Sequence, residues 1–229
     1  MTDDLPNLRF ERKFTPADLD LETALTRVRR HPALFREAYP ARMINNLYFD
    51  SADLRSYHEH VRGVGNRVKT RIRWYGPLRG AIVRPVLERK LKRGLVSGKA
   101  GYPLPPLALN GCLPRRELAD ALSAPDLPEM LRWQVRGLVP VLANRYRRRY
   151  FVSANGHLRL TVDTDLEFFD ARSAAGGLRP LPVSAPPVIL ELKYTPEHAA
   201  EAADAASALP YRLTRCSKYV LGVEHLPAA

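Results

Sequence analysis

The residues with the clearest chemical potential are charged side chains at alternate positions. From Asn66 to Tyr75 one side of a period-two pattern carries Arg67, Lys69, Arg71 and Arg73, and the other carries Val68, Thr70, Ile72 and Trp74. On a strand these heads stand about 7 Å apart, a row that solvent or a polyanion would satisfy. The pattern recurs in five other segments. It groups Arg9, Glu11 and Lys13; Glu88, Lys90 and Lys92; Arg145, Arg147 and Arg149; Arg159, Thr161, Asp163 and Asp165; and Ile189, Glu191 and Lys193. Forked guanidinium donors match phosphate oxygens. Acids placed among them repel an anion directly but suit Mg²⁺ or Mn²⁺, which bridge carboxylate and phosphate. Glu11, Glu88, Asp163, Asp165 and Glu191 are the candidate ligands; the competing reading is that each carboxylate pairs with a neighbouring Arg.

The elements that must hold these residues are mostly strands. Expected strands run over Leu8–Phe14, Ile44–Phe49, Asn66–Tyr75, Ile82–Lys92, from Val139 past Tyr150, Leu158–Asp165 and Val188–Tyr194. Pro85 marks an edge or bulge, and Asn155-Gly156 is a two-residue hairpin turn. Helices are expected after Thr15-Pro16 through Arg30, over Ala52–Val61, Arg115–Leu122 and Leu127–Gly137, after Thr195-Pro196 to about Leu209, and over Cys216–His225. Arg93–Pro114 and Ala171–Pro187 are rich in Gly and Pro and read as surface loops. No internal repeat or linker is visible, so the expectation is one domain over residues 1–229.

An antiparallel sheet commonly solvates one face. Here that face is nearly saturated with charge in strand after strand, while the helices are apolar enough to cover the other. The expected fold is therefore α+β: a closed antiparallel β-barrel turned inside out, with charged residues inside and helices packed outside. Such a lining requires its cations to be balanced by acids or by a bound anion.

The net charge of +12 and pI near 10.0 favour an anionic partner. Cys112 and Cys216 are far apart, with no CxxC and no His at ligand spacing beside them, which argues against a disulfide framework or a structural zinc site. The start of the chain lacks an apolar signal core, and no apolar run is long enough to span a bilayer. A cytoplasmic location is expected.

RFERK, LYFD, KTRIRWYG, LERK, NRYRR, LRLTVDTDL, ILELKY and the final SKY occur in that order. Together they resemble the VTC (vacuolar transporter chaperone) polyphosphate polymerase domain, one of the triphosphate tunnel metalloenzymes that also include the CYTH phosphatases. The resemblance runs from about Leu8 to Gly222. It implies an ATP-dependent polymerase that builds inorganic polyphosphate inside a tunnel, with Mn²⁺ or Mg²⁺ as cofactor and ATP and polyphosphate or pyrophosphate as partners. On this resemblance Lys13, Arg71, Arg73, Lys90, Arg145 and Arg159 bind the phosphate chain and Glu191 holds the metal. Lys193, Ser217 and Lys218 add phosphate contacts near one mouth. Arg67 and Lys69 lie towards the strand's start and are left outside the active site.

Tunnel phosphatases of this superfamily typically open with ExExK, where this chain has Arg9-Phe10-Glu11-Arg12-Lys13. The lost carboxylate favours the polymerase over a hydrolase of triphosphate or polyphosphate. The retained acids argue against a non-catalytic polyphosphate or RNA binder, which gains nothing from them. Gly94–Gly101 lacks P-loop spacing. Trp74 and Trp133 read as packing residues, Tyr146 and Tyr150 as packing opposite Arg145, and His58 and His60 as exposed.

Overall fold

The computed structural model describes residues 8–110, 112–173 and 176–228; the acidic start of the chain lies outside them. In chain order the elements are β1 (Phe10–Phe14), α1 (Leu21–Arg29), β2 (Arg36–Asp50), α2 (Arg55–Val61), β3 (Asn66–Tyr75), β4 (Gly80–Ile82), β5 (Val86–Arg93), β6 (Val96–Pro103) and β7 (Leu107–Leu109). They continue with α3 (Arg115–Leu122), α4 (Glu129–Val135), β8 (Val139–Val152), β9 (Arg159–Asp170), β10 (Arg179–Leu181), β11 (Ile189–Tyr194), a 3₁₀ turn at Pro196–His198, α5 (Ala199–Ser207) and α6 (Lys218–Val223).

One antiparallel sheet runs β1-β11-β9-β8-β2-β3-β5-β6, with β10 beside β9 and a small β4-β7 pair apart from it. The expected fully closed barrel is not what the strand pairing gives: the ladder ends on β1 and β6. These two ends nevertheless meet. Arg9 and Ser97 form an antiparallel bridge, exchanging backbone hydrogen bonds of 2.9 Å each way, and Lys90 of β5 reaches Glu11 of β1 at 2.8 Å. The sheet is thus curled, with its edges joined at one seam.

Its apolar face carries two clusters. Phe14, Phe151, Leu160, Val162, Leu190 and Leu192 pack under α1 and α5. Leu47, Phe49, Ile72, Trp74 and Leu87 pack under α3 and α4. Two helices depart from the expectation that all lie outside. α6 packs through Tyr219 and Val223 on Tyr48, Leu142 and Phe168, beside the charged face, since the Tyr48 hydroxyl accepts from Arg71 at 3.1 Å. α2 packs against the same cluster through Leu54 and Tyr57. Asp50 ties the two helices together, capping the Ser56 and Tyr57 amides of α2 and accepting from the Tyr219 hydroxyl of α6.

Other differences have local causes. α1 begins at Leu21 because Asp20 is its cap, accepting from the Thr23 amide at 2.9 Å, while Thr15 bonds Thr214 instead. The expected loop after Arg93 turns at Gly94, whose φ is +57°, and returns as β6, paired residue for residue with β5. Its Gly and Pro content hides the alternation of Ser97, Lys99 and Gly101. Trp133 is exposed, under the Arg136 guanidinium, rather than packed in the core.

Candidate functional site

The alternation of eight strands converges on the concave face of the curled sheet. β11 presents Glu191, whose carboxylate lies 2.7 Å from Lys193, 3.0 Å from Lys13 of β1 and 3.4 Å from Arg148 of β8. β9 presents Asp163, fully buried, which takes two 2.6 Å bonds from Arg148 and one from Lys218 at the start of α6. On β5, Glu88 binds Arg71 at 2.7 Å and Lys99 of β6 at 2.8 Å, with Arg73 at 3.5 Å. Arg73 is aimed by a chain of amides: its Nε donates to Asn46, which donates to Asn144.

The electrostatics are those of a cation-rich, poorly hydrated surface. Burial disfavours the charged form of Glu191, yet Lys13, Lys193 and Arg148 outweigh it and hold the carboxyl well below its usual range. Asp163 reaches about 2 in the same way, its burial overcome by Arg148 and Lys218. The Tyr146 hydroxyl falls to about 8 although it is buried, because Arg148 and Arg73 stabilise its anion. Lys69 is the contrasting member. Among the described residues no carboxylate pairs with it; its Nζ donates to Ser217 Oγ at 2.7 Å. Burial and then repulsion from Lys13, Lys90, Arg67 and Arg71 push it down to about 6. His60 of α2 feels the same field: burial, Lys69 and Arg67 lower it to about 3. It is half-buried, not exposed as expected, whereas His58 is exposed.

Most of the residues singled out in the sequence meet here: Lys13, Arg71, Arg73, Lys90, Glu191, Lys193, Ser217 and Lys218, with the acids Glu11, Glu88 and Asp163. Arg159 lies on this face in register with Lys193, at its exposed end. Arg145 and Asp165 do not join. An extra residue in β9 shifts the β8–β9 register after Arg145↔Glu167, so that Arg148, not Arg149, opposes Asp163. Arg145 is left 3.7 Å from Glu167 on the other side. Asp165 adopts a left-handed φ of +54° and turns outward to Arg147 at 3.3 Å. The residues missed were Arg148 and Tyr146, assigned to the wrong face, and Lys99, hidden in the apparent loop. The signal for Arg148 was present: only one of the two alternating sets in Arg145–Tyr150 is flanked by Tyr at both ends, as a half-buried face requires.

A family model matches this chain over residues 8–226, nearly its whole length: the VTC domain. The chain belongs to the VTC domain family. No curated protein matches it. Among solved structures, the Hippeastrum protein HpAC1, described as an adenylyl cyclase candidate with a dominant triphosphatase activity, is 17% identical with a TM-score of 0.50, covering 95% of each chain. An adenylate cyclase candidate from Vibrio parahaemolyticus is 12% identical with a TM-score of 0.50, covering 94% of this chain and 98% of that one. At these identities the likeness is one of fold: this VTC domain shares the triphosphate tunnel (CYTH-like) architecture. Among the described residues, no helix of it is long and apolar enough to cross a membrane.

A divalent cation is implied by that superfamily, and the donors of the VTC domain fit one. Glu11 feels the charge of Glu191: burial and that charge push its carboxyl up, but Lys90, Lys13 and Lys193 outweigh them and hold it below its usual range. Among the described residues no three carboxylates of the concave face meet at ligating distance. One or two carboxylates, completed by water and substrate phosphates, is how Mg²⁺ is usually held.

Proposed function

We propose that this chain lengthens inorganic polyphosphate, transferring the γ-phosphoryl group of ATP to the end of a chain threaded along the concave face, which acts as a tunnel sealed at Arg9–Ser97. The observation that carries the proposal is the cation surplus around Lys69: a half-buried lysine beside Lys13, Lys90 and Arg71 with no carboxylate partner among the described residues. That arrangement is unfavourable unless an anion enters it.

Arg71, Arg73 and Arg148 are forked donors already oriented by Glu88, Asn46 and Asp163, so they meet phosphate oxygens with little loss of side-chain entropy. Lys13, Lys69, Lys90, Lys193 and Lys218 supply point charges along the path. Arg159, at the exposed end, gathers the chain. Glu191, assisted by Glu11, would hold Mn²⁺ or Mg²⁺, which when bound supplies charge neutralisation at the transferred group. Positioning and electrostatics suffice, and no protein nucleophile is required.

A nucleotide rather than a bare triphosphate is favoured by the rings beside this face. The Arg42 guanidinium lies 5.6 Å from the ring centroids of Tyr39 and Tyr75 and 6.0 Å from that of Tyr150. Tyr39 and Tyr75 are half exposed, and Tyr150 lies within the field of Arg148 and Arg73. Such a cluster offers a stacking surface for a base whose phosphates reach Arg73 and Arg148.

The second reading is hydrolysis on the same face, favoured by the activity described for the similarly folded HpAC1. Arg9, standing where tunnel phosphatases carry a first carboxylate, weighs against it. The test is incubation with ATP and Mn²⁺ or Mg²⁺, with products resolved by gel and by phosphate release. Long phosphate chains support the polymerase; free phosphate alone overturns it in favour of the hydrolase. Glu191→Gln should abolish metal-dependent turnover while polyphosphate binding persists.

A further inference from the structure

A second group of ligating side chains lies outside the charged face, where the β8–β9 turn meets the start of α5. His157 Nδ1 is 2.9 Å from Glu201 Oε2, and His198 Nδ1 is 4.0 Å from the same oxygen. The two imidazoles stack with centroids 3.8 Å apart and planes 10° apart, so both present Nδ1 to one carboxylate. The three ligating atoms lie within 4.8 Å of one another. The other carboxylate oxygen is occupied: Asn155 Nδ2 donates to Glu201 Oε1 at 2.7 Å, and Asn155 Oδ1 is itself fixed by the buried Ser153 hydroxyl at 2.7 Å. An amide that orients a ligating carboxylate in this way is a common support for a metal site.

The geometry points to a site for a late first-row divalent cation, Zn²⁺ being the probe of choice, bound by His157, His198 and Glu201. Two imidazoles and one carboxylate select Zn²⁺, Ni²⁺ or Cu²⁺ over Mg²⁺. The concave face, with oxygen donors only, has the opposite preference. All three ligands are partly exposed, at 42%, 27% and 34% of their side-chain surface, which leaves entry and open positions for water. The metal would lie in front of the two Nδ1 atoms, not between the stacked rings, and replace the His157–Glu201 hydrogen bond. It would tie the β8–β9 turn to a segment more than 40 residues away in sequence, and so stabilise the packing of α5 on the sheet. Protons compete for the same nitrogens, so affinity should fall in acid.

The test is Zn²⁺ titration of the full chain against a chromophoric chelator, with thermal unfolding run in parallel. One equivalent should bind at micromolar Zn²⁺ with excess Mg²⁺ present, and should raise Tm. His157→Ala and His198→Ala should each weaken binding at least about tenfold and remove the Tm gain, whereas Glu191→Gln should leave both intact. The proposal is overturned if Zn²⁺ does not bind, if the two His variants bind as the wild type does, or if Glu191→Gln rather than the His variants loses the metal. Unshifted Tm values for the metal-free variants establish that any loss comes from the ligands.

Discussion

Two Arg–Asp pairs on the same two strands, one step apart, have different fates. Arg148–Asp163 is 10% and 0% exposed, joined at 2.6 Å, and shares its charges with Glu191 and Lys218. Arg147–Asp165 is 48% and 60% exposed, with a single 3.3 Å contact. Composition is identical; the face of the sheet is not. The first pair is desolvated, so its partners are obligatory and its geometry fixed. The second lies in water, where such a pair contributes little. Strand alternation separates Arg148 from Arg147, and the bulge in β9 turns Asp165 to the side of Arg147.

The contrast can be broken most severely at Arg148. Arg148→Ala leaves Asp163 buried with Lys218 alone and should cost about 3 kcal/mol, the scale for half of a buried pair, read by urea unfolding. Next is Gly222, where an added Cβ would collide first with Leu142 and lie 2.8 Å from Phe168. Gly222→Val should cost about 2 kcal/mol by overpacking and, by lifting α6, should withdraw Ser217 and Lys218 from the concave face and weaken polyphosphate binding.

Lys69→Met sharpens the comparison with an effect of opposite sign. The folded chain holds Lys69 near 6, against about 10.4 when unfolded, so folding releases a proton between those values. Lys69 therefore costs stability increasingly as pH falls from about 10 to about 6. Its removal should raise Tm by a few degrees, roughly 1 kcal/mol, and more at pH 6.5 than at pH 9, as calorimetry at the two pH values would show. The smallest effect belongs to the exposed pair: Arg147→Ala should change stability by less than about 0.5 kcal/mol and leave turnover within twofold.

Much of this was legible in the sequence, because period-two alternation states which residues share a face. β3 was readable to its ends, and Lys13, Arg71, Lys90 and Glu191 could be placed together from alternation and resemblance. Alternation fails where the backbone departs from it. The bulge in β9, with its left-handed Asp165, turned Asp165 away from the face of Asp163, whereas β8 keeps its alternation and the sequence reading chose the wrong one of its two faces. β6 was hidden because Gly98 and Gly101 read as loop, although both stand on a strand. The seam between β1 and β6 rests on one bridge between residues far apart in sequence, Arg9 and Ser97, which local pattern does not encode. His157, His198 and Glu201 come together only when the hairpin turn docks on α5.

The most direct measurement is calorimetric titration of inorganic tripolyphosphate into the wild type, Arg71→Ala, Lys69→Met and Arg147→Ala at fixed salt. Loss of one inward cation should weaken binding about tenfold, the scale of a charge-assisted hydrogen bond, while Arg147→Ala should bind as the wild type does. Equal losses in all three variants would mean that net charge, not the concave face, attracts the anion, and would contradict the account.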